Sequence, residues 1–126
     1  MDDDLEKLQG EWGILFLEVA GLTPAPGTFA GARIVVQGNK FTSIAMGATY
    51  VGRIELDPGR DPKAFSLKFT EGPEKGNTNF GIYELDGDRW TICLAMTGGP
   101  APTRFATAPG SGHALEMLRR QTRESF

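Results

Sequence analysis

The chain has 126 residues, 40% of them hydrophobic and 23% charged, with a formal net charge of −3 at pH 7. This is the composition of one soluble globular domain, spanning residues 1–126. The acidic balance argues against a nucleic-acid binder that relies on a basic face. No apolar run approaches the roughly 20 residues of a membrane-spanning helix.

Cysteine and histidine each occur once, which bounds the covalent and metal chemistry. Cys93 lies in the strand-like stretch "WTICLAM", so we expect a buried, unreactive thiol and no intrachain disulfide. One cysteine and one histidine cannot make a zinc site of the usual Cys/His type. We therefore expect no metal and no cofactor.

The first residues show no secretion signal, because Met1 is followed directly by Asp2, Asp3 and Asp4. If Met1 is the native start, a cytoplasmic location is expected. If a signal peptide was removed, the protein is expected in the periplasm or outside the cell.

The predicted elements begin with a short helix from Asp2 to Gln9, whose acidic first turn suits the helix dipole. Gly10 is a suitable helix stop. After it, polar and apolar residues alternate, as in "AFSLKF", and turn residues separate the alternating runs. The alternation predicts eight strands: Glu11 to Val19, Ala32 to Gln37, Lys40 to Ala45, Thr49 to Asp57, Lys63 to Thr70, Thr78 to Leu85, Arg89 to Met96 and His113 to Gln121.

Tandem strands joined by short turns, without crossover helices, favour an antiparallel up-and-down barrel or a sandwich. In meander order, the even-numbered connections "GNK", "DPGRDP" and "DGD" are short and share one end of a barrel. The two longest connections, "AGLTPAPGTFAG" and "TGGPAPTRFATAPGSG", share the opposite end. The sequence thus predicts a tight end and an open end, and long loops on a rigid scaffold are where binding sites usually lie.

A floor is predicted at the tight end, where Trp12 begins the first strand and Arg119 and Arg120 end the eighth. An arginine stacked on the tryptophan ring would close the barrel there by cation–π contact. Arg119 shares the parity of Leu115 and Met117, and for that reason it is preferred over Arg120 as the partner of Trp12.

The short helix, Gly10-x-Trp12 at the first strand and a basic residue at the end of the last strand resemble the lipocalin and wider calycin pattern. The stretches "DDLEKLQGEW", "GNKFT", "FTEGPEKG", "GIYELDGDRWTICLA", "PTRF" and "GSGHALEML" are similar to a small, functionally uncharacterised family of bacterial lipocalin-like domains that is abundant in planctomycetes. The resemblance covers nearly the whole chain. It implies an all-β fold, an eight-stranded antiparallel up-and-down lipocalin-like barrel with a short N-terminal helix, and it implies no activity. Members of that family often carry an export signal.

An eight-stranded barrel either fills its interior with side chains or leaves room for one small ligand. Most predicted inward residues are bulky, and they include Phe16, Phe80 and Ile82. The small residues Ser43 and Ala45 on the third strand and Gly52 on the fourth favour a gap.

The leading hypothesis is non-enzymatic binding of a small, partly apolar ligand at the open end, between the first and seventh connections. Phe29 and Phe105, which lie in those connections, are either apolar lids or anchors that pin the connections to the barrel. The candidate ligand-binding residues are Phe29, Tyr50, Asn79, Arg104, Phe105 and His113.

Two alternatives stay open. Histidine is the side-chain type that titrates near neutral pH, and His113, with Glu18 and Tyr50 at the same mouth, would be the general base of a small hydrolase or isomerase. The other alternative is a protein-interaction or structural module, which needs an exposed apolar patch or an open sheet edge. No nucleic-acid partner and no membrane span are expected, and the oligomeric state is either monomer or homodimer.

Overall fold

Eight antiparallel strands close into a barrel in this computed structural model, which describes residues 3–25, 31–45, 47–96 and 99–121. The predicted all-β barrel with a short N-terminal helix is confirmed, and each predicted strand end lies within one residue of the observed one. The elements are α1 (Asp3–Lys7), β1 (Gly10–Val19), β2 (Arg33–Gln37), β3 (Lys40–Ala45), β4 (Ala48–Asp57), β5 (Ala64–Glu71), β6 (Thr78–Asp86), β7 (Arg89–Ala95) and β8 (His113–Arg120).

Each strand pairs with the next along the chain, and β8 returns to pair with β1. The short β2–β3 and β6–β7 hairpins turn at Gly38 (φ +62°) and Gly87 (φ +59°), a backbone region that glycine occupies without a Cβ clash. These turns lie at the tight end, and the β1–β2 and β7–β8 connections lie at the open end. Because the barrel is closed, none of the eight described strands has an unpaired edge.

Helix α1 and the start of β1 close the tight end. Leu8 and Trp12 are fully buried, and the Trp12 indole Nε1 donates a hydrogen bond of 2.9 Å to the Leu8 carbonyl. Trp12 meets Trp90 edge to face at 5.5 Å between ring centroids. The Arg120 guanidinium carbon lies 4.4 Å from the centre of the Trp12 ring, and Arg120 Nη1 donates to the Gln9 carbonyl at 2.8 Å. These contacts make the predicted floor, with Arg120 as the arginine.

A buried carboxylate anchors α1 against the barrel. Asp4 Oδ2 accepts hydrogen bonds from the Tyr83 hydroxyl at 2.7 Å and from Lys63 Nζ at 2.9 Å. The hydrogen bond from Tyr83 and then the charge and hydrogen bond of Lys63 lower the pKa of Asp4, against the opposing effect of burial. The helix is therefore held to β6 by a charge-assisted bond as well as by Leu8.

The parity predicted for β8 is wrong, and with it the preference for Arg119. Residues directly opposite on antiparallel strands share a face, and Trp12 is opposite Arg120 while Ile14 is opposite Leu118. The inward side chains of β8 are therefore those at 114, 116, 118 and 120, and Arg119 is exposed. The prediction followed the apolar stripe of Leu115 and Met117, which faces the outside of the barrel.

A β-bulge in β1 overturns the predicted direction of Glu18. The register with β8 shifts between Ile14 and Phe16, so Leu17 and Val19 share the inner face with Trp12 and Ile14. Phe16 and Glu18 consequently face outward. Parity counted from Trp12 without the extra residue had placed both of them inside.

The parity of β6 also differs from the prediction. Asn79 and Tyr83 are buried, at 3% and 1% exposed, whereas Phe80 is 42% exposed and Ile82 belongs to a cluster on the outer face. Gly81 lies between the two inward residues, and a Cβ there would come within 2.7 Å of the Cys93 carbonyl oxygen. Phe80 and Ile82 thus point away from the interior.

The described part of the β7–β8 connection lies against the outer wall of the barrel. Phe105 packs with Phe16 on a buried outer cluster of Ile82, Cys93 and Leu115. The Cys93 thiol donates a 3.5 Å hydrogen bond to the Ala106 carbonyl, and burial raises the pKa of this thiol. The expected burial of Cys93 is confirmed, and Phe105 acts as an anchor of the connection.

Candidate functional site

A cavity of about 280 Å³ occupies the half of the barrel opposite the floor. It is open to solvent at the rim, where the β5–β6 connection contributes one residue. The inner faces of β3 to β8, with Met96 directly after β7, supply the remainder of the wall. The lining residues are Phe41, Ser43, Tyr50, Leu67, Phe69, Glu74, Asn79, Ile92, Leu94, Met96, Ala114 and Glu116.

Three aromatic rings line one side of the cavity. Phe69 meets Phe41 edge to face at 6.5 Å between centroids and Tyr50 in the same way at 6.2 Å. Edge-to-face packing of this kind fixes the orientation of each ring and contributes about 0.5–1.5 kcal/mol per pair beyond the buried area. The wall is therefore apolar, rigid and rich in π-electron density.

Glu116 places a carboxyl group in this apolar surface. The residues directly opposite Glu116 on the two adjacent strands are Leu17 on β1 and Ile92 on β7, and neither side chain can form a hydrogen bond. In the described part of the chain, no group makes a hydrogen bond or ion pair with the Glu116 carboxyl. Burial alone raises the pKa of Glu116 to about 7, because the charged form loses its hydration.

Further polar groups reach the cavity from other strands. Asn79 is buried on β6, and Ser43 and Tyr50 lie opposite each other on β3 and β4. Glu74 lies at the rim, where one of its carboxylate oxygens accepts a hydrogen bond of 3.2 Å from Asn77 Nδ2. The arrangement suits one small molecule that is held by shape and oriented by a few polar contacts.

Of the three small residues that predicted a gap, Ser43, Ala45 and Gly52, only Ser43 lines it. A Cβ on Gly52 would lie 2.5 Å from the Lys68 carbonyl oxygen, beside the register shift between Val51 and Gly52. Gly52 therefore permits the close approach of the β4 and β5 backbones. It creates no space for a ligand.

The predicted ligand-binding residues are divided between the inside and the outside of the barrel. Tyr50 and Asn79 line the cavity, whereas Arg104 and His113 line a separate depression of about 220 Å³ on the outer face. Phe105 belongs to the outer cluster. Phe29 lies outside the described residues. Of the described residues of the first and seventh connections, only Met96, directly after β7, lines the cavity.

The predicted catalytic trio is likewise not assembled in one chamber. Tyr50 points into the barrel, whereas His113 and Glu18 lie on its outer face. Glu18 accepts a hydrogen bond from the Thr107 hydroxyl, whose oxygen in turn accepts one of 2.8 Å from the Gly21 amide. In this structure Glu18 therefore ties the β7–β8 connection to the end of β1.

Sequence reasoning missed Glu116, although a signal for it was present. Glu116 and Arg120 are four residues apart on one strand and so share a face. Had Arg120 been chosen as the partner of Trp12, Glu116 would have been predicted inside the barrel. The choice of Arg119 instead left Glu116 among the solvent-facing residues.

A larger depression, of about 810 Å³, lies outside the barrel between the end of α1 and strands β1 and β2. Its side chains include Gln9, whose amide already makes two hydrogen bonds with the backbone of Gly38. No aromatic residue lines it. The internal cavity, with its apolar wall and inward carboxyl, is the better candidate site.

Comparison of the chain with known proteins found no family model, no curated protein and no solved structure that it matches. Across the described ranges, no helix is long and apolar enough to cross a membrane. Strand order and register therefore define the molecule as a calycin-like eight-stranded barrel.

Proposed function

We propose that this protein is a non-enzymatic binder of a small, partly apolar molecule, held inside a lipocalin-like barrel. The observation that carries the proposal is the cavity of about 280 Å³ opposite the Trp12 floor. A cavity of roughly 150 Å³ is large enough for benzene, so this one suits a molecule of one or two rings.

The position of the polar groups favours a binder over the two alternatives. The hydrolase or isomerase hypothesis relied on Glu18, Tyr50 and His113 meeting at one mouth, and they lie on opposite faces of the wall. The interaction-module hypothesis needs an exposed apolar patch or an open sheet edge, and the pairing of every strand removes the second of these. An internal apolar surface with a few inward polar groups is the usual form of a small-molecule site.

Native mass spectrometry of freshly purified protein tests the proposal, because it detects a small molecule that leaves on unfolding. A titration with 2-phenylethanol, followed by amide chemical shifts, should perturb residues of the cavity wall such as Leu94 and Ala114. Absence of both a co-purified molecule and any shift at the wall would contradict the proposal.

A cavity-filling variant supplies the matched control. Ala114→Leu adds bulk to the wall and should abolish the shifts, at a cost in stability of about 1–3 kcal/mol from overpacking. Ala108→Leu makes the same change at an exposed position of the β7–β8 connection and should bind as the wild type does. Far-UV circular dichroism verifies that both variants are folded.

A further inference from the structure

The ionisable side chains that line the cavity carry negative charge or none. They are Glu116 on the inner wall, Glu74 at the rim and Tyr50 on β4, and no lysine, arginine or histidine is among the lining residues of the described chain. A low-dielectric cavity with charges of one sign concentrates the electric field of those charges. An anionic ligand would therefore be repelled from this cavity, and a cationic one attracted.

Glu116 presents to the cavity a carboxyl that a positive group would pair with. Leu17 and Ile92 flank it, and its carboxyl has no protein partner among the described residues. A partly buried carboxylate that loses hydration without gaining a partner is unfavourable, and a cation beside it would restore the lost interaction. A neutral molecule would leave the carboxylate as it is.

The aromatic side of the same cavity also suits a cation. The rings of Phe41, Phe69 and Tyr50 all line the cavity and are held to one another by edge-to-face contacts. Ammonium groups, including quaternary ones, bind over aromatic faces, and the interaction strengthens when water is excluded. This observation is independent of the carboxylate and indicates the same ligand chemistry.

We propose that the cavity binds a small organic cation, an amine or quaternary ammonium group on an apolar body, with the positive group beside Glu116. The inference rests on the proposed function, because it names the class of ligand that the binder takes. Leu67, Ile92 and Leu94 line the same cavity and would contact the apolar body of the ligand.

Binding of such a cation should strengthen as pH rises. The carboxylate form of Glu116 is the binding form, and its pKa of about 7 in the free protein means that it is mostly protonated at pH 5.5 and mostly ionised at pH 8. The other titratable groups that face Glu116 across the cavity are Glu74 and Tyr50. The strands that flank β8 contribute only Leu17 and Ile92 opposite it.

The test compares two probes of one shape by isothermal titration calorimetry. Benzyltrimethylammonium carries a charge that does not depend on pH, and neopentylbenzene is its uncharged carbon isostere. At pH 8 the cation should bind at least ~10-fold more tightly than the isostere, as expected for an interaction with a charged group. Its affinity should fall by ~10-fold or more between pH 8 and pH 5.5, whereas the affinity of the isostere should stay constant.

Glu116→Gln isolates the carboxylate. It should weaken binding of benzyltrimethylammonium by ~10-fold or more at pH 8, remove the pH dependence and leave neopentylbenzene binding unchanged. Glu84→Gln, at an exposed position of β6, gives the same change in net charge and should behave as the wild type does. Should Glu116→Gln fail to fold, the pH profile of the wild type with the two probes decides the question.

The outcomes separate this inference from the proposed function. If the isostere binds as tightly as the cation at every pH, the cavity is a binding site but the cation inference is wrong. If neither probe binds, both proposals fail. Equal affinity of the cation for wild type and Glu116→Gln at pH 8 would overturn the role of Glu116.

Discussion

The carboxyl of Glu116 should make the free energy of unfolding depend on pH, and Glu116→Gln should remove that dependence. The pKa of this group is about 7 in the folded protein and 4.5 in the unfolded chain. Because the folded-state pKa is raised, the unfolded chain loses its proton first as pH rises. The contribution of Glu116 is fully present below pH 4.5 and is lost as pH rises to about 7.

The size of the effect follows from the two pKa values. The pKa rises from 4.5 to about 7 on folding, and each pKa unit corresponds to about 1.36 kcal/mol. Full ionisation of Glu116 therefore lowers the free energy of unfolding by roughly 3 kcal/mol. Between pH 5 and pH 8 the linkage relation predicts that about 2.5 kcal/mol of this destabilisation is observed. Glutamine has nearly the same shape as protonated glutamate and does not ionise. The free energy of unfolding of the variant, relative to the wild type, should therefore increase by about this amount between pH 5 and pH 8.

Urea unfolding at pH 5, 6, 7 and 8 measures this difference. The free energy of unfolding of Glu116→Gln minus that of the wild type should increase steadily with pH. Taking this difference cancels the titration of every other group, because both proteins contain those groups. Glu84→Gln is the control for loss of a negative charge at an exposed site, and its difference should stay within about 0.5 kcal/mol at all four pH values. Parallel profiles for Glu116→Gln and wild type would show that Glu116 is hydrated or paired in the folded state.

Three further substitutions test the floor, the helix anchor and a backbone contact. Arg120→Lys should lower the free energy of unfolding by roughly 1–3 kcal/mol, because lysine cannot both stack on the floor tryptophan and donate to two carbonyls. The control is Arg119→Lys, at an exposed site. In the same urea titration it should change the free energy of unfolding by less than about 0.5 kcal/mol. Tyr83→Phe should lower the free energy of unfolding by about 1–2 kcal/mol at pH 6. This loss should become smaller as pH falls below 4, because the hydrogen bond from Tyr83 lowers the pKa of Asp4 and stabilises the fold only where the Asp4 carboxylate is ionised. Gly52→Ala should cost about 1–3 kcal/mol or more by thermal unfolding, since its Cβ would meet the β5 backbone; a wild-type midpoint for this variant would show that the two strands separate easily.

The strands and the barrel were predictable because their determinants are local. Alternation and turn residues fixed all eight strands to within one residue, and short hairpins such as that at Gly87 set their order. The floor was predictable from Trp12 and a terminal arginine. All of these features depend on neighbours along the chain or on the ends of the two strands that meet.

The inner and outer faces were not predictable to the same extent, because they depend on a single inserted residue. The bulge between Ile14 and Phe16 reverses the parity of β1, and no residue type there announces it. On β6 and β8 both faces are largely apolar, since the β7–β8 connection covers part of the outer wall. Hydrophobicity therefore does not distinguish Leu115, which is buried outside the barrel, from Leu118, which is buried inside it.

The unfavourable ionisation of Glu116 and the proposed cation site are two consequences of one arrangement. If a bound cation pairs with Glu116, it replaces the hydration that the carboxylate loses on folding. The pKa of Glu116 in the liganded protein then returns toward its ordinary value. The loss of stability between pH 5 and pH 8 should then disappear in saturating benzyltrimethylammonium, because a ligand that prefers the ionised form stabilises the fold most where the free protein is weakest. A purely structural burial of Glu116 gives no such coupling, so the liganded and free proteins would keep parallel pH profiles. The slope of stability against pH, measured with and without the cation, therefore distinguishes a carboxyl placed for binding from one that is only tolerated in the core.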